Sequence, residues 1–152
     1  MKIGVLTDTH IHSSEEIPEE VVKAFSEVDL IVHCGDFVTL EVLEGLRQIN
    51  ELKAVRGNMD SDEIKSILSK AELLIINDKR IGIIHGSGAP QGIEYRIREE
   101  FGEVDVIIYG HTHEVCNRII DGVLFFNPGP GRYSYGVLTI EAKITGEIIE
   151  CH

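Results

Sequence analysis

The chain has 152 residues, 43% of them hydrophobic and 26% charged, and a formal net charge of −12. Such a chain is expected to form one globular domain over 1–152, burying roughly two-thirds of its unfolded surface, which excludes a disordered polypeptide. Its acidity opposes sequence-blind binding to long nucleic acid, and no apolar run approaches the roughly 20 residues that cross a bilayer.

In chain order, residues 2–7 read as a buried strand that runs at once into Asp8 and His10. The stretch is too short for a signal peptide, so a cytoplasmic location is expected. Residues 16–27 read as a helix, with Ile17, Val21 and Phe25 at helical spacing. A second strand is expected over 29–34 and a helix over 39–50, N-capped by Thr39. A third strand follows over 52–56. Residues 61–71 read as a helix opened by Ser61, with Asp62 and Glu63 in its first turn, where acids suit the helix dipole. Two apolar runs, 72–77 and 80–85, are split by Asn77-Asp78-Lys79 and read as a hairpin. A helix over 92–102 and a buried strand over 105–109 come next. The last third holds short strands near 115–120, 123–127, 134–141 and 144–150, punctuated by Gly or Asn, and reads as consecutive antiparallel strands. A βαβ front half with such a back half implies a mixed sheet, or two stacked sheets covered by helices. Cys34, Cys116 and Cys151 form no C-x-x-C pair, so reduced thiols are expected rather than a disulfide framework or a zinc ribbon.

Five of these apolar stretches end on residues that bind metal: Asp8 and His10, Asp36, Asn58, His85, and His111 with His113. In open α/β sheets ligands bind beyond the carboxyl ends of strands. Asp8 and His10 are two apart, as are His111 and His113; in an extended segment each pair shares one face and could grip one ion. Gly35 and Gly57 precede Asp36 and Asn58, where a residue without Cβ lets the backbone turn sharply into a crowded site. The donors are two carboxylates, one amide oxygen and four imidazoles. Such a set suits Mn, Fe, Zn, Ni or Co better than Mg or Ca, and Mn is favoured. Taken singly, Asp36 reads as a helix cap, Asn58 as a turn residue and His85 as a core histidine; all five motifs in order read as a metal centre. The first βα turn lacks Gly-x-Gly-x-x-Gly, which disfavours a dinucleotide fold, and Gly86-Ser87-Gly88 reads as a plain loop.

Asp8-x-His10, Gly35-Asp36, Gly57-Asn58-x-Asp60, His85-Gly86 and Gly110-His111-Thr112-His113 together resemble the ordered signature of the calcineurin-like metallophosphoesterases. Asn127-Pro128-Gly129 and the small size resemble the compact bacterial and archaeal phosphodiesterase branch. The resemblance implies an α/β (α+β) four-layer α/β/β/α sandwich of two mixed sheets flanked by helices. It also implies two divalent cations about 3.5–4 Å apart. Asp8, His10 and His113 would hold the first, Asn58, His85 and His111 the second, and Asp36 would bridge them. Asp36, Asn58 and His85 would form the catalytic heart. A hydroxide between the two metals would attack a small phosphodiester in line. The cations would offset the acidic surface.

The sequence departs from the pattern in two places. Relatives with broader phosphatase activity carry Gly-Asn-His-Glu where this chain has Gly57-Asn58-Met59-Asp60, and many carry a second His where it has Ser87. Both losses imply weak acid catalysis. Asp60 reads as a loop brace and His12 as an exposed loop residue in preference to substitute acids. Arg132 reads equally as a phosphate clamp or a surface ion pair. A scaffold like the retromer subunit of this fold, a broad-specificity phosphatase and a nuclease are the alternatives, with a homodimer left open.

Overall fold

The computed structural model describes residues 1–152 and contains two five-stranded mixed sheets and four α-helices. The first sheet is built from β1 (Lys2–Leu6), β2 (Leu30–His33), β3 (Leu52–Ala54), β9 (Ser134–Ile140) and β10 (Ile144–Glu150), in the order β10-β9-β1-β2-β3. The second contains β4 (Ala71–Ile76), β5 (Lys79–Ile84), β6 (Val106–Ile108), β7 (Cys116–Ile120) and β8 (Val123–Asn127), in the order β4-β5-β6-β8-β7. The four helices are α1 (Glu19–Ser26), α2 (Leu40–Ile49), α3 (Asp62–Ile67) and α4 (Ile93–Arg98).

The four layers follow from period-two alternation. Ile3 and Val5 of β1 join Leu30, Val32, Ile81, Ile83, Val106, Ile108 and Phe126 in a core between the sheets. Leu6 and Ile31, on the opposite face, pack with Val21 and Phe25 of α1 and Val42, Leu43 and Leu46 of α2. Ile107 and Phe125 do the same on the second sheet against Ile93 and Ile97 of α4. The expected α/β/β/α sandwich is thus present. No helix is long and apolar enough to cross a membrane.

Local details differ from the sequence reading. The helix expected over 16–27 is split: a 3₁₀ turn covers Ser14–Glu16, and Pro18 precedes α1 because its ring fixes φ for a first turn and cannot follow one. Thr39 stands at the N-cap position of α2 but makes no cap bond; its hydroxyl donates to the His12 carbonyl at 3.0 Å. Ser61 does cap α3, accepting from the Ile64 N–H. The helices expected over 61–71 and 92–102 stop at Ile67 and Arg98. The largest difference lies in the last third. β7–β8 and β9–β10 are each antiparallel hairpins, but β8 runs parallel to β6 in one sheet while β9 pairs with β1 in the other. The continuous meander is therefore broken between Asn127 and Ser134, where Asn127-Pro128-Gly129 carries the chain from sheet to sheet. Strand pairing depends on distant partners, which local patterning does not encode.

Candidate metal centre

β1, β2 and β3 are mutually parallel, as are β5, β6 and β8. Their carboxyl ends release six loops at one edge of the sandwich, five of which carry the candidate ligands. The Asp8 N–H donates to the Gly35 carbonyl at 3.0 Å and the His10 N–H to the Asp36 carbonyl at 3.2 Å, which ties the first two loops together. Across the sheets the His111 N–H donates to Asp8 Oδ2 at 3.0 Å; within the second sheet Asn127 Nδ2 donates to the Gly110 carbonyl at 3.3 Å and to Thr112 Oγ1 at 3.2 Å. The residues therefore converge although they are up to 105 positions apart in the chain (Asp8 to His113).

Five of the seven candidate ligands adopt left-handed backbone: Asp8 (φ 49°), His10 (46°), Asp36 (62°), His111 (71°) and His113 (61°). For a residue with Cβ this region costs of order 1–3 kcal/mol, and such strain collects at ligand clamps. Asp8 and His10 do meet in one group, but left-handed backbone rather than a shared face of an extended segment brings them there. His111 and His113, by contrast, do not share one ion's site. His113 Nε2 lies 3.4 Å from Asp8 Oδ1, in a group with His10, whereas the ring of His111 packs against that of His85. The left-handed turns point successive side chains in directions a strand would not. Gly35 (φ 100°) and Gly57 sit back to back below Asp36; a Cβ on Gly57 would overlap the Asp36 carboxylate.

The centre holds two overlapping triads, Asp8–His10–His113 and Asp8–Asp36–His85. Asp36 Oδ2 is 3.4 Å from both His10 Nε2 and His85 Nε2, and Asp8 Oδ1 is 3.8 Å from the same two nitrogens. Both carboxylates, not Asp36 alone, therefore lie between the two halves. Asn58 Oδ1 is 3.1 Å from His85 Nε2. Asp8 Oδ1 and His10 Nε2 are buried and have no hydrogen-bond partner.

Hydrogen bonding selects the tautomers. His85 Nδ1 lies 2.8 Å from the Cys34 carbonyl, an acceptor, so Nδ1 carries a proton and the ring turns Nε2 inward. That nitrogen faces Asp36 Oδ2, Asp8 Oδ1 and Asn58 Oδ1, all of them acceptors. Only a proton or a cation satisfies such a cluster. Although burial acts to lower it, the His85 pKa is raised by the hydrogen bond to Asp36 and the charges of Asp8 and Asp36. Against its own burial, the Asp36 carboxyl is held low by His85, the Met59 N–H and His10. His111 Nε2 lies 2.9 Å from the Gly88 carbonyl, which leaves Nδ1 bare. Carbonyls that orient imidazoles in this way raise their value as metal ligands. The donor set and its unpartnered atoms fit divalent cations.

The remaining candidates separate cleanly. Asp60 is a brace: Oδ2 accepts from the Asp36 N–H at 3.0 Å and the Gly57 N–H at 2.7 Å, and Oδ1 from the Val38 N–H at 2.9 Å. His12 is exposed and bonds only through its backbone. Met59 is 57% exposed, its N–H donating to Asp36 Oδ1 at 2.8 Å. Ser87 offers its carbonyl to Arg96, which also holds the carbonyls of Ala89 and Gln91 and so staples the loop that carries Gly88. Arg132 is exposed and makes no ion pair, although its neighbour Gly131 donates to the Thr7 carbonyl at 2.8 Å. One residue escaped the sequence reading. His33, fully buried, accepts from the Gly35 N–H at Nδ1 (3.0 Å), meets Thr9 Oγ1 at Nε2 (3.2 Å) and stacks on Phe37. Burial first, and then the nearby His85, lower its pKa to about 3. It supports the ligand loops as a neutral group. Its place inside an apolar strand run was the available signal.

Comparison with known proteins places these features in a wider set. A model of the calcineurin-like phosphoesterase superfamily domain matches residues 1–142. A probable metallophosphoesterase of Methanocaldococcus jannaschii is 42% identical over 160 residues, covering 98% of this chain and 81% of that protein. The solved structure of an archaeal phosphodiesterase superposes with a TM-score of 0.79 at 30% identity, covering 98% of this chain and all of that one (100%). Vps29 of Chaetomium thermophilum superposes with a TM-score of 0.81 over 99% of this chain and 98% of its own, but at 18% identity, a likeness of fold alone.

Proposed function

Because the chain belongs to the calcineurin-like phosphoesterase superfamily, we propose that it is a metal-dependent phosphodiesterase acting on a small phosphodiester at a two-metal centre. The ligands in this reading are Asp8, His10, Asp36, Asn58, His85, His111 and His113, with Asp36, Asn58 and His85 nearest the chemistry. One observation carries it: Asp8 Oδ1 and His10 Nε2 are buried without partners, beside a His85 Nε2 that faces only acceptors. Leaving buried polar groups unsatisfied costs about 1–3 kcal/mol each, more when charged, and cations repay that cost.

Two divalent cations bound there would supply Lewis-acid charge toward phosphoryl oxygens and lower the pKa of water. The mixed nitrogen and oxygen donors favour Mn, with Fe, Zn, Ni or Co as alternatives. The chain's own residues set the geometry. Cys34 and Gly88 carbonyls aim the His85 and His111 rings, Asp60 holds the Asp36 and Asn58 loops, and the side-chain-free Gly57 admits the Asp36 carboxylate. Neither Met59 nor Ser87 supplies a strong acid to the leaving group. This favours diesters whose leaving group departs without one, and the archaeal phosphodiesterase of the same fold supports the choice of diester over monoester. Arg132, exposed and unpaired beside the Thr7 loop, is free to clamp a phosphoryl oxygen.

The test is hydrolysis of a chromogenic diester and its monoester counterpart by protein loaded with Mn or Ni. Wild type should turn over the diester preferentially, and Asp36→Ala or His85→Ala should lower kcat/KM by at least about a hundredfold. Activity that survives both substitutions sinks the proposal, while no turnover under any metal transfers the fold to the scaffold reading.

A further inference from the structure

An open cleft of about 280 Å³ adjoins the metal centre on the side of Asn58 and His85. No hydrophobic residue and no carboxylate lines it; its charged walls are Arg56, Lys65 and Lys70. In a chain whose acids outnumber Lys and Arg by 26 to 14, the charged groups here are all cations. They come from three elements. Arg56 lies just after β3, Lys65 in the last turn of α3, and Lys70 immediately before β4.

The arrangement is built rather than incidental. The Arg56 N–H donates to the Ser69 carbonyl at 3.0 Å and Nη1 to the Leu68 carbonyl at 3.1 Å. One arm of the guanidinium is thereby anchored, and the rest of its five donors make no bond within the chain. The Lys65 ammonium makes no ion pair or hydrogen bond. Lys70 meets Glu100 at 2.8 Å, but both side chains are well exposed, 60% and 42%, so that pair is worth little and exchanges readily. The scissile phosphate would sit against the metal ligands, beyond Asn58 and His85. These cations flank that position and are free to receive a different anion. A fork of guanidinium donors with two ammonium groups matches a phosphate dianion.

We infer that the Arg56–Lys65–Lys70 cleft is a subsite for a second phosphate group of the substrate, so that the diester hydrolysed is one bearing a terminal phosphate. The inference rests on the proposed diesterase reading and names the substrate class within it. A thymidine dinucleotide serves as probe in three forms: unphosphorylated, 5′-phosphorylated and 3′-phosphorylated. Binding to metal-loaded protein is measured by calorimetry, and turnover is followed in parallel.

One phosphorylated form should bind and react roughly tenfold better than the plain dinucleotide. Lys65→Ala should lower that ratio by roughly two- to fivefold and Lys65→Glu by more, with melting temperatures unchanged because the Lys65 side chain is exposed and bonds to nothing. Added salt should erode the preference. Equal affinity for all three forms, or a preference untouched by both Lys65 variants, overturns the subsite. If no diester is cleaved yet the Lys65-dependent binding preference persists, the subsite stands and the diesterase reading falls.

Discussion

Asp8→Asn should make the metal-free protein more stable while removing most of its response to metal. Asp8 is 1% exposed; Oδ2 accepts from Thr7 Oγ1 at 2.9 Å and the His111 N–H at 3.0 Å, while Oδ1 has no partner. Around Oδ1 stand His113 Nε2 at 3.4 Å and His10 and His85 Nε2 at 3.8 Å. An asparagine keeps the two bonds at the Oδ2 position and places an N–H donor among those nitrogens. Relief of one unsatisfied buried acceptor is worth about 1–3 kcal/mol, and a domain of this size shifts its Tm by about 2–4 °C per kcal/mol. The variant should therefore melt roughly 2–12 °C above wild type in chelator. Metal at a hundred times its Kd adds about 2.7 kcal/mol to wild type, and an amide in place of a charged ligand removes most of that gain. Thermal melts with chelator and with a Mn titration, at one mildly alkaline pH, read both effects. A variant that melts below wild type in chelator, or that gains as much from metal, would refute the argument that Asp8 is held in an unsatisfied, metal-ready state.

Two further outcomes follow from residues around the centre. His33 stays neutral in the fold, with its pKa lowered from 6.5 to about 3, so the unfolded chain binds the extra proton between those values. Its contribution is fully present above the unfolded pKa and is lost as pH falls toward about 3, at up to about 1.4 kcal/mol per pH unit. Urea unfolding at neutral and mildly acidic pH should show His33→Gln losing less stability on acidification than wild type; equal losses would place the titration elsewhere. Asp60→Ala strands the N–H groups of Asp36, Val38 and Gly57. It should cost at least about 3 kcal/mol and weaken metal binding too, measured by denaturation and metal calorimetry; a stable variant with unchanged metal affinity would show that the brace is dispensable.

Local pattern made much of this molecule legible in the chain itself. The unbroken apolar runs Ile3–Leu6 and Val106–Ile108 reveal strands because a strand covered on both faces buries every side chain. Ser61 marks a helix start because its oxygen meets an N–H only three residues away. The order of Asp8, His10, Asp36, Asn58, His85, His111 and His113 was likewise written in the chain, since ligand chemistry belongs to residue type. Tertiary structure alone decided the rest. It separated β8 from β9 into different sheets, turned the ligand loops left-handed, and put both Asp8 and Asp36 between the triads. It also made His33 a neutral support and brought Arg56, Lys65 and Lys70 to one cleft. The physical reason is common to all of these. Each outcome is set by burial and by bonds to groups distant in the chain, many of them backbone carbonyls such as those of Cys34, Gly88 and Leu68, which every residue carries and no sequence pattern distinguishes.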